Sequence, residues 1–155
     1  MYLWWRFVHI AAALAFVMAH GTAVGVAFRI RGERNRERIA ALLELSSRSL
    51  VWMYLSLGAL VVAGVVLGFM TRAWGRGWIW TAIALLVLLM VLMYALAATF
   101  YRRVRDAVTS RRGSGYRISD EELEDILSSG RPHLLALVGF GGLLGILWLM
   151  VFRPF

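Results

Sequence analysis

Histidines are the residues whose chemistry stands out most in this sequence. His9 and His20 lie within FVHIAAALAFVMAHGTAVG, residues 7–25, a stretch that is otherwise almost entirely apolar, and His133 lies at the start of the last apolar run. An ionisable side chain inside an apolar span is costly and marks a candidate functional site. An imidazole there can donate a hydrogen bond between helices. It can also bind the iron of a haem group, because a porphyrin favours an apolar slot.

The spacing of the histidines defines which of them could share a site. His9 and His20 are eleven residues apart, which on a helix places them within about 20° of one face and about 16 Å apart along the axis. That separation is too large for both to bind one copper ion. Counting helical rises places His20 near the depth of Met93 and Tyr94, with His133 about 10 Å nearer the cytoplasm. The predicted ligands of a haem b group are His9, His20, Met93 and His133.

Four long apolar runs must position these side chains. The chain has 155 residues, of which 61% are hydrophobic, well above the apolar share of about 45–50% in soluble domains. Its mean hydropathy is +0.71. Each run has about 20 residues or more, the length that a helix needs to cross a bilayer, and lipid-exposed spans must be helical. The predicted fold is an all-α integral membrane bundle, a single membrane domain over residues 1–155. Its predicted transmembrane helices cover about 4–28, 50–70, 78–101 and 132–152.

Apart from the histidines, the predicted spans contain few residues that could transport ions or bind metals. The cores of the second, third and fourth runs contain no Asp, Glu, Lys, Arg or His, and no proline lies at mid-membrane. This argues against an ion channel, a proton pump or a coupled transporter, which need intramembrane charge or broken helices. The sequence has no cysteine, which excludes disulfides and cysteine-bound iron–sulfur clusters. We predict no catalytic residue.

Arginine and tryptophan indicate the topology. The loops after the first and third spans carry thirteen of the seventeen basic residues, which places them in the cytoplasm and both termini outside. We therefore expect a bacterial cytoplasmic membrane protein whose charge marks topology and contacts lipid headgroups, and not nucleic acid. The basic residues of these loops are Arg29, Arg31, Arg34, Arg36, Arg38, Arg48, Arg102, Arg103, Arg105, Arg111, Arg112, Arg117 and Arg131. The predicted outer interface carries Trp4, Trp5, Trp74, Trp78, Trp80 and Trp148.

Both loops contain helical patterns. After Gly32 the first loop becomes a helix former that is expected to continue into the second span. In the second loop, Ser119 and Glu122 have capping-box spacing, and apolar residues follow on one side. A short amphipathic helix is predicted at about 119–129, at the cytoplasmic surface or against the extension of the second helix.

Glycines occur at a spacing that favours close helix contacts. Three pairs, each four residues apart, lie within three of the predicted spans, and small residues at this spacing let helix backbones approach. Either helix packing or the close approach of a flat cofactor is compatible with them. The pairs are Gly21 and Gly25, Gly64 and Gly68, and Gly141 and Gly145.

The stretch YLWWRFVHIAAALAFV, a Tyr-Leu-Trp opening with a histidine a few residues on, resembles a group of small four-helix bacterial membrane proteins. The group comprises HemJ-type protoporphyrinogen oxidases, copper-resistance protein D-like membrane domains and uncharacterised predicted integral membrane proteins near them. The C-terminal FRPF resembles the basic-Pro-Phe ending of the HemJ type. The resemblance covers mainly the first span and the last four residues, and it implies that His9 matches the first-helix histidine associated with haem or porphyrin.

Other parts of the sequence depart from the HemJ pattern. The third span lacks the intramembrane lysine of HemJ proteins, and SSRSLVWMYLSLGAL and the glycine-rich last span fit the uncharacterised relatives better. The leading hypothesis is a haem b- or porphyrin-binding protein, or an accessory subunit of a respiratory or photosynthetic electron-transfer complex. A HemJ-like protoporphyrinogen oxidase and a copper-handling membrane protein are the alternatives. Expected partners are the lipid bilayer and other membrane subunits or further copies of the chain.

Overall fold

The fold of the chain is described from a computed structural model that covers residues 1–109 and 119–155. The described part consists of helices and turns, without strands. Four stretches are long and apolar enough to cross a membrane, namely Tyr2–Arg31, Arg36–Met70, Gly77–Val108 and Glu121–Phe152. This confirms the predicted all-α fold with four apolar helices. The elements are α1 (Tyr2–Arg31), α2 (Arg36–Met70), the 3₁₀ turn η1 (Ala73–Gly75), α3 (Gly77–Thr109), α4 (Asp120–Ser128) and α5 (Arg131–Phe152).

Helix α2 runs without a break from the first polar loop into its apolar span, as predicted. Its 35 residues correspond to about 52 Å at 1.5 Å per residue, so it extends well beyond a hydrocarbon core of about 30 Å. Asn35 begins the helix, because its side-chain oxygen accepts hydrogen bonds from the N–H groups of Glu37 and Arg38 at 2.9 and 3.2 Å. This is the usual way in which a helix start satisfies its free donors.

The four long helices form two closely packed pairs. Helix α1 packs along α2, and α3 packs along α5, whereas contacts between the two pairs are much sparser. We call the end that carries the turn between α1 and α2, together with α4, the arginine end. We call the end that carries η1 and the C-terminal residues the tryptophan end.

The largest buried core lies at the arginine end. It joins side chains of α1, α2, α3 and α4, and its largest fully buried members are Phe100, Ile30, Ile39 and Leu127. Ser119 begins α4 by accepting a hydrogen bond from the Glu122 N–H at 3.1 Å. Helix α4 packs against α3 and α1, and its apolar side lies in the core that also contains Ile39 and Leu43 from the extension of α2.

The FRPF ending contacts the start of α3 at the tryptophan end. Arg153 ends α5 in a left-handed conformation (φ 48°), and its guanidinium carbon lies 5.7 Å from the centre of the Trp78 ring. The backbone N–H of Trp78 donates a hydrogen bond to the backbone oxygen of Phe155 at 3.3 Å. The Phe155 ring lies so close to Gly77 that a Cβ there would be 2.9 Å from it. The last residues therefore fold back onto the start of α3.

Candidate functional site

His9 joins α1 to α2 through a hydrogen bond that determines its tautomer. Its Nδ1 lies 3.0 Å from the backbone oxygen of Leu60. A carbonyl oxygen can only accept, so Nδ1 carries the proton and donates it. In the neutral ring the remaining nitrogen, Nε2, then has a free lone pair.

Gly64 gives the His9 ring room to reach α2. A Cβ at this glycine would lie 3.2 Å from Cε1 of His9 and 3.5 Å from Nδ1. The Nδ1–Cε1 edge of the ring therefore faces α2, whereas Nε2 lies more than 4 Å from this Cβ position. Of the predicted glycines, Gly64 is the one that contacts a predicted ligand.

His20 is buried between α1 and α5. The side chain is 5% exposed, and its ring lies between Phe16, at a centroid distance of 6.4 Å, and Phe140, at 5.2 Å. Nε2 has no hydrogen-bond partner in the described residues and faces Gly139, where a Cβ would lie 2.7 Å from Cε1 and closer still to Nε2. The backbone of α5 therefore occupies the direction from which a metal ion would approach Nε2. This geometry favours helix packing as the role of His20.

His133 lies in the first turn of α5 at the arginine end, where Arg31 of α1 bonds both to it and to the end of α4. Nη1 of Arg31 donates to its Nδ1 at 2.9 Å, and Nη2 of the same guanidinium donates to the Ser128 carbonyl at 3.2 Å. An arginine can only donate, so Nδ1 of His133 is the acceptor and the ring is neutral in this bond. Phe28 packs edge-on against the same ring at 4.9 Å.

The four predicted haem ligands do not converge on one site. His9 contacts α2 and His20 contacts α5, because α1 packs against different neighbours along its length. Met93 is partly buried on α3, and the adjacent Tyr94 is 67% exposed. Within 1–109 and 119–155 no group of three His, Cys, Asp or Glu side chains could hold a metal ion.

Glycine contacts follow a different spacing from the predicted one. A Cβ at Gly25 or Gly141 would meet nothing within 4 Å, and one at Gly21 or Gly145 would make only ordinary contacts, whereas one at Gly68 would lie 2.8 Å from the Trp74 ring. The sequence prediction missed two tight positions in α5. These are Gly139, against His20, and Gly142, where a Cβ would lie 2.6 Å from Leu89. Their spacing of three residues in VGFGG was the available signal.

An apolar groove of about 390 Å³ runs along the surface shared by α1 and α2. Its polar side chain, Ser56, donates its hydroxyl proton to its own helix, to the carbonyl of Trp52 at 2.8 Å or that of Met53 at 3.0 Å. The groove therefore presents apolar surface. It is lined by Val8, Ala11, Ala12, Ala15, Trp52, Leu55, Ser56 and Ala59.

Comparison with known proteins agrees with this architecture. The family described as "Predicted integral membrane protein (DUF2269)" matches residues 3–154. The chain belongs to the DUF2269 family. Membership supports the expected likeness to predicted integral membrane proteins, but it lends no support to a link with HemJ-type oxidases or copper-resistance protein D. No curated protein and no solved structure matches the DUF2269 chain.

Proposed function

We propose that this integral membrane protein binds a haem b group or a related porphyrin through Nε2 of His9. The observation that carries the proposal is the hydrogen bond from Nδ1 of His9 to the Leu60 carbonyl. Histidines that bind metals almost always donate their other ring N–H to such an acceptor, which sets the tautomer and orients the ring. His9 has this arrangement, and Nε2 is the nitrogen left for the iron.

The neighbouring helices supply the orientation of His9. Gly64 lets the ring lie against α2, and the packing of His20 on Gly139 holds α1 against α5 nearer the arginine end. Bound haem iron would supply one-electron chemistry, which fits a subunit of a respiratory or photosynthetic electron-transfer complex. We place this subunit in a bacterial cytoplasmic membrane with both termini outside.

The test is a haem titration of the detergent-purified protein, followed by absorbance. We expect the Soret band of added haem to shift and saturate at one haem per chain. His9→Ala should lower the affinity at least tenfold, because the axial ligand is lost. His133→Ala is the matched control and should bind haem like the native protein, since His133 is bonded to Arg31.

Two further measurements separate ligation from folding. His9→Gly removes the imidazole, and free imidazole added to this variant should restore the shifted band. Circular dichroism should show the same helix content in all variants. A native protein that leaves the haem spectrum unchanged, or a His9→Ala variant that binds as tightly, would exclude this function.

A second candidate function is that of an accessory subunit that packs against a larger membrane complex without a cofactor. The groove between α1 and α2 favours it, and only 11% of the most apolar part of α2 is buried within the chain. The test is purification of the tagged protein from its native membranes. We expect a stoichiometric membrane subunit to co-purify, and Ala15→Leu, which fills the groove, to release it. A native protein that purifies alone would argue against this role.

A further inference from the structure

Basic side chains from three helices lie at similar depths at the arginine end. The Tyr101 hydroxyl donates to the Ala23 carbonyl at 2.7 Å, so the next residues of α3, Arg102 and Arg103, lie near the depth of the last turns of α1. His133 contacts Arg31 and Phe28, which places the start of α5 near the same depth. This layer lies at the depth of the core at the arginine end, which contains Phe100 and Val104 of α3.

The length of α3 relates this layer to the bilayer. Arg102 follows Trp80 by 22 residues, which corresponds to about 33 Å. The hydrocarbon core is about 30 Å thick and the whole bilayer about 40–45 Å. With exposed Trp80 at one interface, where tryptophan is favoured, Arg102 and Arg103 lie among the headgroups of the opposite leaflet.

Three acidic residues of this end interact with other arginines. Glu124 pairs with Arg34, and Glu33 lies 3.9 Å from Arg38; both of these arginines flank the turn between α1 and α2. Glu44 bonds Arg48 within α2 at 3.1 Å. Arg102 and Arg103 are exposed and have no hydrogen bond or ion pair to any residue that the structure describes.

Both guanidinium groups lie outside the core. Phe100, Val104 and Ala107 form the buried face of α3 at this depth. Helical periodicity places Arg102 opposite this face and Arg103 about 70° to one side of it, and both side chains are exposed. Guanidinium groups bind phosphate oxygens through paired N–H donors. We propose that Arg102 and Arg103 bind the phosphate of an anionic phospholipid in the leaflet at the arginine end.

The test compares lipid binding by native mass spectrometry of the full chain in neutral detergent. Phosphatidylglycerol and phosphatidylcholine with the same acyl chains are titrated separately. We expect the native protein to prefer phosphatidylglycerol, and R102Q/R103Q to lower its association constant about 30-fold, since each basic residue near an anionic surface contributes about 1 kcal/mol. The charge-matched control is R34Q/R38Q, which should change binding less than twofold.

Further variants and a competitor make each outcome decisive. R102K/R103K keeps both charges and should bind phosphatidylglycerol within a few-fold of the native protein. An excess of inorganic phosphate should leave the bound lipid in place, whereas its displacement would identify a free-phosphate site and overturn the proposal. Equal loss of binding in R34Q/R38Q, or unchanged binding in R102Q/R103Q, would also overturn it.

Discussion

The three histidines differ in role because a different group faces each ring. A backbone carbonyl faces Nδ1 of His9, so that nitrogen must donate. A guanidinium faces Nδ1 of His133, so that nitrogen must accept. A glycine backbone faces Nε2 of His20, which leaves the nitrogen without a partner but allows close packing. The sequence predicted all three as ligands, because residue type and depth do not reveal which atom lies opposite a ring nitrogen.

Because a Cβ at Gly139 would meet the His20 ring, whereas no atom of the described residues lies within 4 Å of one at Gly141, an alanine should affect stability differently at these two positions. Gly139→Ala should destabilise the protein by about 1–3 kcal/mol, the usual cost of an added group in a packed core, because its Cβ would overlap the His20 ring. Gly141→Ala, two residues away, should be neutral or slightly stabilising, since nothing lies within 4 Å and alanine favours a helix over glycine. Thermal unfolding in detergent measures both.

A double-mutant cycle checks the cause of the Gly139→Ala effect. In a His20→Ala background the ring is absent, so Gly139→Ala should cost much less. An undiminished cost in this background would show that another neighbour is responsible.

At the scale of elements, the sequence predicts the existence of the long helices better than the contacts between them. Length and hydropathy were sufficient for the four long helices, and the Ser119 hydroxyl caps α4 as its spacing with Glu122 predicted. The pairing of the helices and the tight glycines of α5 were not predictable in this way. Helices that are apolar on all sides carry little information about which face meets a neighbour, so a four-residue spacing selected Gly141 where Gly139 and Gly142 make the contacts.

The turn between α1 and α2 should weaken in acid. The main cause is the Asn35 N–H, which donates to the Glu33 carboxylate at 3.0 Å and so lowers the pKa of Glu33. Burial opposes this shift. The Arg34 N–H and the positive charges of Arg38 and Arg29 lower the pKa further. Because the folded pKa lies below the unfolded one, this stabilisation is complete above the unfolded pKa of about 4.3. It is lost as the pH falls through the folded pKa.

Glu33→Gln provides the measurement. The unfolding temperature of the native protein minus that of the variant should be constant near neutral pH and should shrink in acid, below about pH 4.3. A difference that grows on acidification would contradict the assigned direction of the pKa shift. Glu121→Gln, at an exposed position of α4, is the matched control.

At the scale of the whole molecule, the two helix pairs are tied together mainly at the arginine end. The core there draws on α1, α2, α3 and α4, and Arg31 adds bonds to His133 and Ser128. The tryptophan end has a smaller core, built by α3 and α5. The two helix pairs therefore pack more extensively at the arginine end than in the half of the chain that contains His9.

The absence of cysteine allows a direct test of orientation. We expect Thr71→Cys, exposed at the tryptophan end, to react with a membrane-impermeant maleimide in intact bacteria. Glu37→Cys, exposed at the arginine end, should react only after the cells are permeabilised. This outcome follows from the arginine bias of the loops, and the reverse labelling pattern would invert the assigned topology.

The position of Trp52 makes its fluorescence a probe of the groove. Its side chain is 70% exposed beside the groove. It lies nearer the arginine end than the six other tryptophans do. Subtracting the fluorescence of a Trp52→Phe variant from that of the native protein isolates the emission of this one indole. The wavelength of its emission maximum, and its quenching by brominated acyl chains, report whether lipid or a neighbouring helix occupies the groove.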